Sequence, residues 1–314
     1  MNAYLKYNLF LLAFSMLLHQ NPIVCAWSHN IQSKFSNIFM KQKEETIDKK
    51  IALKPHGTLS IENMQGNILI KTDWKQNSII LKATKQMRKK GKFENITIQI
   101  NEQPKKNKVI VQTSFKDKKT KGTVHYELII PKNIKMNLKT LYGSIKIKNV
   151  TGATYAKTEK GNIKIFDTKG PIIAESDNGN IEIGRTQGNI KAKARYGNIF
   201  ITDSTKCIHG ETTSGNIIVS CKNLHSLGKI ALYAQKGNID LCVPTTTNAD
   251  LHARTKKGKL ISDHYIKIKP QTVKLNRQTW DRFKREVTGT LGTGEALIKM
   301  SANIGNIKIS KPMG

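Results

Sequence analysis

Several features that would mark a class of protein are scarce in this chain of 314 residues. It has four cysteines, without a CxxC pair or the His/Cys spacing of a zinc site. Its three tryptophans, Trp27, Trp74 and Trp280, lie far apart, and aromatic residues make up 6% of the chain. A basic nucleic-acid-binding protein normally interleaves aromatics or presents a recognition helix. The sequence therefore predicts no cofactor and argues against a nucleic-acid partner.

Long apolar runs are also lacking, apart from one near the first residue. The run Leu9–Leu18 follows a single early Lys and precedes the small residue Ala26. This pattern predicts a secretory signal peptide over residues 1–26, too short in its apolar part for a transmembrane helix. We therefore expect an exported protein, in the periplasm, in the outer envelope or at the cell surface. Cys25 offers a lipoprotein alternative, which Pro22 disfavours.

Glycine, in contrast, recurs in strict order. Seven glycines follow one another at intervals of nine residues: Gly143, Gly152, Gly161, Gly170, Gly179, Gly188 and Gly197. At every second one a phrase returns, from Gly143-Ser-Ile-Lys-Ile to Gly215-Asn-Ile-Ile-Val. The repeating unit is therefore eighteen residues long and has two unlike halves.

Each half alternates apolar and polar residues and then reaches a turn, which is the signature of a short strand. Such a strand cannot bury its apolar face alone, but stacked copies can. The period predicts an all-β fold, a single-stranded parallel β-solenoid similar to a β-helix or β-roll, with about eighteen residues per coil. Equivalent side chains of successive coils would form columns spaced by about 4.8 Å.

The members of these columns can be read from the repeat. One face would bury two isoleucine-rich columns (Ile145, Ile163, Ile181, Ile199, Ile217 and Ile147, Ile165, Ile183, Ile201, Val219). The other face would bury smaller residues (Ala156, Ala174, Ala192 and Thr158, Ser176, Ala194, Thr212). An outward column alternates in charge (Lys157, Glu175, Lys193, Glu211). Opposite charges on adjacent strands would stabilise the register.

One more column follows the turn glycines. It consists of Asn162, Asn180, Asn198 and Asn216. Asn tolerates turn conformations, and its amide can hydrogen-bond to the coils on either side. We expect a structural ladder here, with a ligand-binding strip as the alternative.

The ends of the regular repeat divide the chain. After the signal peptide we expect a leader (27–44), an N-terminal β part with a first coil (45–142), the regular solenoid (143–262), an irregular insertion or cap (263–293) and a last coil (294–314). Within the N-terminal part, strand-like stretches at 79–84, 96–100, 109–113 and 124–130 predict hairpin-like excursions. They would cap or extend the sheet, where an open edge invites association.

The run Thr123–Pro131, followed by Leu138–Ile147, resembles the entry to the repeats in the bacterial putative-adhesin family of exported β-strand-repeat proteins. That family is a domain of unknown function. The resemblance covers about residues 45–314 and includes the phrase Asn303–Ile309. Its motifs are fold motifs, so it implies an adhesin role and supplies no catalytic residue.

The segment 263–293 departs from the repeat. Within it, Asn276–Val287 has helical spacing, with Trp280, Phe283 and Val287 on one face, and predicts a short C-terminal capping helix. A partner-binding helix is the alternative. The candidate binding residues are those of its basic face and its tryptophan: Arg277, Trp280, Arg282, Lys284 and Arg285.

Two of the three cysteines after the signal peptide fall at the same corner of consecutive coils. Cys221 and Cys242 could therefore approach bridging distance and form a disulfide. Buried reduced thiols in a β-core are the alternative.

The charge balance bears on the partner. The chain has 53 Lys and Arg against 22 Asp and Glu, a formal net charge of +31. Such a balance predicts an anionic partner, such as envelope polysaccharide, lipid or host glycan, unless it reflects biased composition.

Catalytic and metal sites find little support in the pattern. The carboxylates Asp167, Asp203 and Glu175 alternate with basic residues in their columns, which indicates ion pairs rather than catalytic acids. The turns lack the Asp that calcium-binding β-rolls need. The sequence thus predicts a non-catalytic cell-envelope or surface scaffold or adhesin, the alternative being an envelope polysaccharide-processing enzyme on a β-helix scaffold.

Overall fold

The computed structural model of the protein describes residues 42–72, 77–88, 91–117, 120–204, 206–222, 228–268 and 285–312. The predicted signal peptide lies outside these residues. The described chain is all-β, apart from two single-turn 3-10 helices. Within the described ranges, no helix has the length and apolar character needed to cross a membrane.

The strands fall into three groups along the chain. The N-terminal group comprises β1 (Gln42–Ala52), β2 (Thr58–Gln65), β3 (Ile68–Thr72), β4 (Ser78–Arg88), β5 (Ile96–Gln103), β6 (Lys108–Phe115) and β7 (Gly122–Ile130), with 3-10 turns at Phe93–Asn95 and Pro104–Lys106. The regular array comprises β8 (Lys135–Tyr142), β9 (Ile145–Lys148), β10 (Thr154–Lys160), β11 (Ile163–Thr168), β12 (Ile172–Asn178), β13 (Ile181–Thr186), β14 (Ile190–Tyr196), β15 (Ile199–Ser204), β16 (Ile208–Ser214) and β17 (Ile217–Ser220). The C-terminal group comprises β18 (Lys229–Lys236), β19 (Ile239–Cys242), β20 (Ala249–Lys257), β21 (Leu260–Ser262), β22 (Lys267–Ile268), β23 (Glu286–Leu291), β24 (Ala296–Ile304) and β25 (Ile307–Ser310).

These strands form two long, mostly parallel sheets. Sheet A has the order β1-β4-β7-β3-β9-β11-β13-β15-β17-β19-β25-β21, and sheet B has the order β22-β23-β20-β24-β18-β16-β14-β12-β10-β8-β2-β6-β5. In the array, each coil contributes one strand to each sheet, and the chain passes directly from one coil to the next. The architecture is solenoid-like, with the predicted repeat of about eighteen residues.

The predicted core columns are confirmed. Ile163 pairs with Ile181 and Ile181 with Ile199, and all three are fully buried in sheet A. The predicted alanine column also forms in sheet B. One core column was missed: sheet B buries a large side chain in most coils at Ile172, Ile190, Ile208 and Ile230. Large and small residues therefore alternate within sheet B as well as between the sheets.

The asparagine ladder is present and is structural. The side-chain oxygen of Asn162 accepts a hydrogen bond from the backbone N–H of Asn180 at 2.8 Å, and Asn180 accepts from Asn198 in the same way. The ladder runs on through Asn216, Asn238 and Asn306 to the N–H of Lys259. At the other end it continues through Ser144 and Asn67 to the ring of His125.

The turn glycines are required by the close approach of neighbouring coils. Gly179 has a φ of +153°, and a Cβ at this position would overlap the carbonyl oxygen of Gly161 in the preceding coil. The same overlap, with the carbonyl of Gly237, faces Gly305 near the C terminus. A side chain is therefore excluded at these turns.

The alternating charges pair as predicted. Lys193 Nζ lies 2.8 Å from Glu211, and Lys157 Nζ lies 3.9 Å from Glu175. These are surface pairs that contribute at most about 1 kcal/mol each to stability. Their main effect is to disfavour a shifted register, because a shift would bring like charges together.

The strand order departs from the chain order at the C-terminal end. The coil β20–β21 does not stack on β18–β19, its predecessor in the chain. The last coil, β24–β25, is inserted between them, so Ile239 pairs with Ile307 and Ile307 with Leu260. The insertion covers both edges of the last coil, which would otherwise leave unpaired backbone groups exposed.

The N-terminal end has a related arrangement. The first coil, β2–β3, lies between β6–β7 and β8–β9, as its two neighbours in each sheet show. The stretches predicted as strands lie within β4, β5, β6 and β7. Antiparallel pairing of β4 with β1 and of β5 with β6 extends the two sheets at this end, as expected.

The predicted capping helix is wrong in its described part. Glu286 and Val287 belong to strand β23, which pairs antiparallel with β20. Residues 286–291 carry β-branched side chains, and the outer edge of β20 offers backbone hydrogen bonds to them. Residues 276–284 of the predicted helix lie outside the described residues. Arg285, which is described, lies in the turn before β23.

Candidate functional site

The candidate site lies on the outer face of sheet B, where the inserted coil meets its neighbours. Strands β18, β24, β20 and β23 are adjacent there. Their register aligns outward side chains in two rows. The first row is Ala231, Lys299, His252 and Thr288, and the second is Tyr233, Ser301, Arg254 and Glu286.

These two rows enclose a cleft of about 280 Å³, which we call the C-terminal cleft. Its lining residues are Tyr233, His252, Ala253, Arg254, Glu286, Val287, Thr288, Lys299, Met300 and Ser301. Four separate stretches of the chain contribute to it. The cleft therefore exists only because the last coil is inserted before β20.

Aromatic and hydroxyl groups shape the walls of the C-terminal cleft. The rings of His209 and Tyr233 are in contact, with centroids 5.6 Å apart. Across the cleft, the hydroxyl of Thr288 lies 3.3 Å from Nδ1 of His252. An entering molecule would meet ring faces, hydroxyl groups and cations together.

The cations of the C-terminal cleft differ from the paired lysines of the array. Among the described residues, no carboxylate lies within 4.0 Å of the charged groups of Arg254 or Lys299. In the array, by contrast, Lys193 is paired with Glu211. Glu286 stands directly opposite Arg254 in the sheet and places one negative charge at the rim. As far as the described residues go, the cleft thus presents two cations without an ion-pair partner.

The structure describes one of the five predicted binding residues. Arg285 lies at the turn into β23, where its Nη1 donates to the carbonyl of Lys256 at 3.2 Å and its own carbonyl accepts from Thr255. It therefore borders the C-terminal cleft beside Arg254. The others, Arg277, Trp280, Arg282 and Lys284, lie outside the described residues.

The two cysteines predicted to form a disulfide are neighbours in sheet A. The backbone N–H of Cys221 donates to the carbonyl of Cys242 at 3.0 Å, and both thiols are free. Burial raises the pKa of the Cys221 thiol to about 12, so it is protonated at neutral pH. The disulfide stays a prediction.

The carboxylates that were read as ion-pair partners have that role. Arg185 makes a two-pronged contact with Asp167, and Lys222 lies 3.3 Å from Asp203. The Arg185 guanidinium holds the pKa of the Asp167 carboxyl below its ordinary value. Within the described ranges, no group of three or more His, Cys, Asp or Glu residues is arranged to hold a metal ion.

Sequence reasoning missed the main residues of the cleft: Tyr233, His252, Arg254 and Lys299. Each lies at an outward strand position, which the alternation of apolar and polar residues along the strand predicts. Their proximity could not be predicted from the sequence, because Lys299 lies between Ala231 and His252 only as a result of the inserted coil. The available signal was the cation-rich, carboxylate-poor composition of the outward positions after Gly228.

Comparisons with known proteins find no matching family model and no matching curated protein. Solved structures with a similar fold include a putative adhesin from Bacteroides fragilis, at 13% identity and a TM-score of 0.45, with 84% of this chain and 97% of that chain covered. A putative adhesin from Parabacteroides distasonis shows 10% identity and a TM-score of 0.40 over 85% and 97% of the two chains. A putative cell adhesion protein from Clostridium sporogenes shows 10% identity and a TM-score of 0.28 over 87% and 100%.

At this identity and these TM-scores the likeness assigns neither ligand nor activity. Any functional argument must therefore come from the C-terminal cleft and the sequence.

Proposed function

We propose that the protein is an exported, non-catalytic β-solenoid that serves as a cell-envelope or surface adhesin and binds an anionic polymer in the C-terminal cleft. One observation carries the proposal. Arg254 and Lys299 line one cleft with Tyr233 and His252, and neither cation is paired with a described carboxylate.

The chemistry of these groups matches an acidic sugar or a similar anion. Arg254 offers a planar set of N–H donors that suits a carboxylate or sulfate, and Lys299 offers a compact charge beside it. Hydrogen bonds between ions contribute roughly 1.5–3 kcal/mol, more than neutral ones. The ring of Tyr233 and the hydroxyls of Ser301 and Thr288 add the contacts that a sugar face and its hydroxyls require.

The charge of the whole chain supports the same partner at longer range. With a formal net charge of +31, the protein attracts polyanions before any specific contact forms. The cleft then supplies the local contacts that a uniform positive surface lacks. Nonspecific attraction and binding in the cleft can therefore be separated by substituting cations in different places.

The export part of the proposal rests on the predicted signal peptide at residues 1–26. Cell fractionation should find the protein outside the cytoplasm. Protease added to intact cells should degrade it if it reaches the surface and spare it if it stays in the periplasm. Recovery of the uncleaved chain in the cytoplasm would contradict export.

The binding part is tested with two double variants of equal charge. Arg254→Gln with Lys299→Gln removes the unpaired cations of the cleft. Lys146→Gln with Lys308→Gln removes two cations from the outer face of sheet A. On a polygalacturonate column developed with a salt gradient, we expect the cleft variant to elute at clearly lower salt than the control variant.

Neutral dextran serves as the reference matrix and should retain neither protein. Equal elution of the two double variants from polygalacturonate would contradict a localised site. In that case the positive charge would act only as a diffuse property of the surface.

A further inference from the structure

A row of exposed residues runs along one corner of sheet B, three residues beyond the second row of the C-terminal cleft on the same strands. It is formed by the residue that precedes the turn glycine in each coil from β8 onward. In spatial order the row is Tyr142, Lys160, Asn178, Tyr196, Ser214, Lys236, Ile304 and Lys257. We call it the corner ridge.

Two tyrosines of the corner ridge are more exposed than the core-facing pattern requires. Tyr142 is 47% exposed and Tyr196 is 49% exposed. Neither is needed to fill the interior, because the inward positions of their strands are already occupied by buried residues. A tyrosine ring held outward on a rigid sheet offers an apolar face and a hydroxyl group to another molecule.

Each of these rings has a cation beside it. Lys160 Nζ lies 5.3 Å from the ring centre of Tyr142, and Arg195 Cζ lies 5.3 Å from that of Tyr196. A cation over an aromatic face is attracted by the ring and loses part of its freedom. Both exposed rings of the corner ridge are thus paired with a positioned positive charge.

The corner ridge is continuous with the C-terminal cleft. Lys236 and Lys257 of the ridge lie on β18 and β20, the strands that carry Tyr233 and Arg254. From β8 to β20 the sheet has seven inter-strand spacings, about 34 Å at about 4.8 Å each. Cleft and ridge together form one track along the solenoid axis.

We propose that this track binds a single acidic polysaccharide chain laid parallel to the solenoid axis. One acidic sugar lies in the C-terminal cleft, and further sugars stack on Tyr196 and then on Tyr142. Their acid groups face Arg195 and Lys160. This inference rests on the proposed function and names its ligand: an extended, sparsely charged sugar polymer rather than an isolated anion.

The charges of the corner ridge favour a polysaccharide over single-stranded nucleic acid, although both can stack on aromatic rings. The exposed carboxylates Glu159 and Asp177 directly precede Lys160 and Asn178 of the ridge. Nucleic acid carries a negative charge at every nucleotide and would place phosphates beside both. A polysaccharide can present its acid groups at intervals and place hydroxyls there instead.

Chain length provides the test. Two fluorescent hyaluronan oligosaccharides, which carry a carboxylate on every second sugar, are used: one too short to reach from the cleft to Tyr196, and one long enough to reach Tyr142. The wild-type protein should bind the long oligomer more tightly, because contacts with the ridge form within a complex that the cleft already holds together. Tyr142→Ala with Tyr196→Ala should remove this preference, with a loss of about two- to tenfold per ring, and leave binding of the short oligomer unchanged.

A matched control removes an aromatic residue elsewhere. Tyr265 is 88% exposed and lies outside the ridge, so Tyr265→Ala should retain the full preference for the long oligomer. Because all three tyrosines are at the surface, circular dichroism should show unchanged folding for both variants.

The outcomes separate the two proposals. If neither oligomer binds the wild-type protein, the proposed function fails. If both bind equally, or if the tyrosine variant keeps the preference for the long oligomer, the cleft stands and the ridge proposal is overturned. Tighter binding of an oligothymidylate of matched length would also overturn it, in favour of nucleic acid.

Discussion

The regular array and the C-terminal end of the solenoid use the same coil but arrange it differently. In the array, β8 to β17 follow one another in space as they do in the chain, and one outward column contains the ion pairs Lys157–Glu175 and Lys193–Glu211. At the C-terminal end the last coil is inserted between two earlier ones, and Arg254 and Lys299 have no paired carboxylate among the described residues.

The comparison shows that the sequence of a repeated coil determines which of its side chains are buried, but not which other coil it stacks on. Asn306 donates to Asn238 and accepts from Lys259 as any array asparagine does with its neighbours. Ile307 likewise pairs with Ile239 as Ile181 pairs with Ile163. The inserted coil therefore fits because its backbone and core contacts are the same as those of an array coil. Only its outward side chains acquire neighbours that the chain order would not give them.

The largest effect should come from the turn glycines. Gly179→Ala in the array should lower the free energy of unfolding by more than about 3 kcal/mol, because its Cβ would overlap the carbonyl of Gly161. Gly305→Ala should destabilise its own turn to the same degree, because its Cβ would overlap the carbonyl of Gly237 in the same way. Denaturant unfolding of both variants measures the loss.

A control exists within the same sheet. A Cβ added at Gly210 would lie 3.1 Å from a terminal methyl of Leu232, a side chain that can shift, and the preceding coil has Ala192 at this position. Gly210→Ala should therefore change stability by less than about 1 kcal/mol. A loss at Gly210 equal to that at Gly179 would show that volume, not backbone approach, excludes the side chain.

The next largest loss of stability is expected from substitutions in the cores of the two regions. Ile181 in the array and Ile298 in the inserted coil are both fully buried, so replacing either with Ala should cost roughly 2–5 kcal/mol. Lys193→Ala, which breaks an exposed ion pair, should cost less than about 1 kcal/mol. Thermal unfolding ranks the three variants.

Amide hydrogen exchange sharpens this comparison. If Ile298→Ala accelerates exchange only in β18 to β25, the C-terminal end opens as a separate unit. If exchange rises throughout the array as well, the insertion has joined both regions into one cooperative structure. Equal costs for Ile181→Ala and Lys193→Ala would mean that the assignment of faces is mistaken.

The smallest effect concerns the N-terminal end of the asparagine ladder. The ring of His125 replaces asparagine there: its Nδ1 accepts from the N–H of Asn67 at 3.2 Å, and Nε2 lies 3.3 Å from the hydroxyl of Thr123. Burial lowers the pKa of His125 from its ordinary value of 6.5, against an opposing effect of Glu44. The neutral ring is therefore the form that stabilises the fold.

Since the pKa is lowered in the folded state, this contribution is complete above the unfolded-state pKa and is lost as the pH falls through the lowered value. His125→Asn keeps an acceptor and removes the titration. Between about pH 7.5 and about pH 5, the melting temperature of the wild type should fall more than that of the variant. Parallel curves would show that His125 does not close the ladder.

Much of the fold was predictable because the repeat is strict. The isoleucine columns, the alanine column, the asparagine ladder and the charge pairs follow from an eighteen-residue period, since parallel coils align equivalent positions. The column of Ile172 and Ile190 was missed because it lies where the strand leaves the turn, at a position that Thr154 occupies in the preceding coil. Strand β23 was mistaken for the end of a helix because Val287 fits both periods.

The sequence by itself determined which side chains face inward, because alternation and turn glycines are local and act alike in every coil. It also determined the basic character of the surface. Only the tertiary structure decided which coils are neighbours, since identical backbone ladders make the coils interchangeable and local patterns cannot rank the possible orders. The C-terminal cleft belongs to this second class: the insertion of β24 pairs Lys299 with His252 and so brings distant segments of the chain into one cleft.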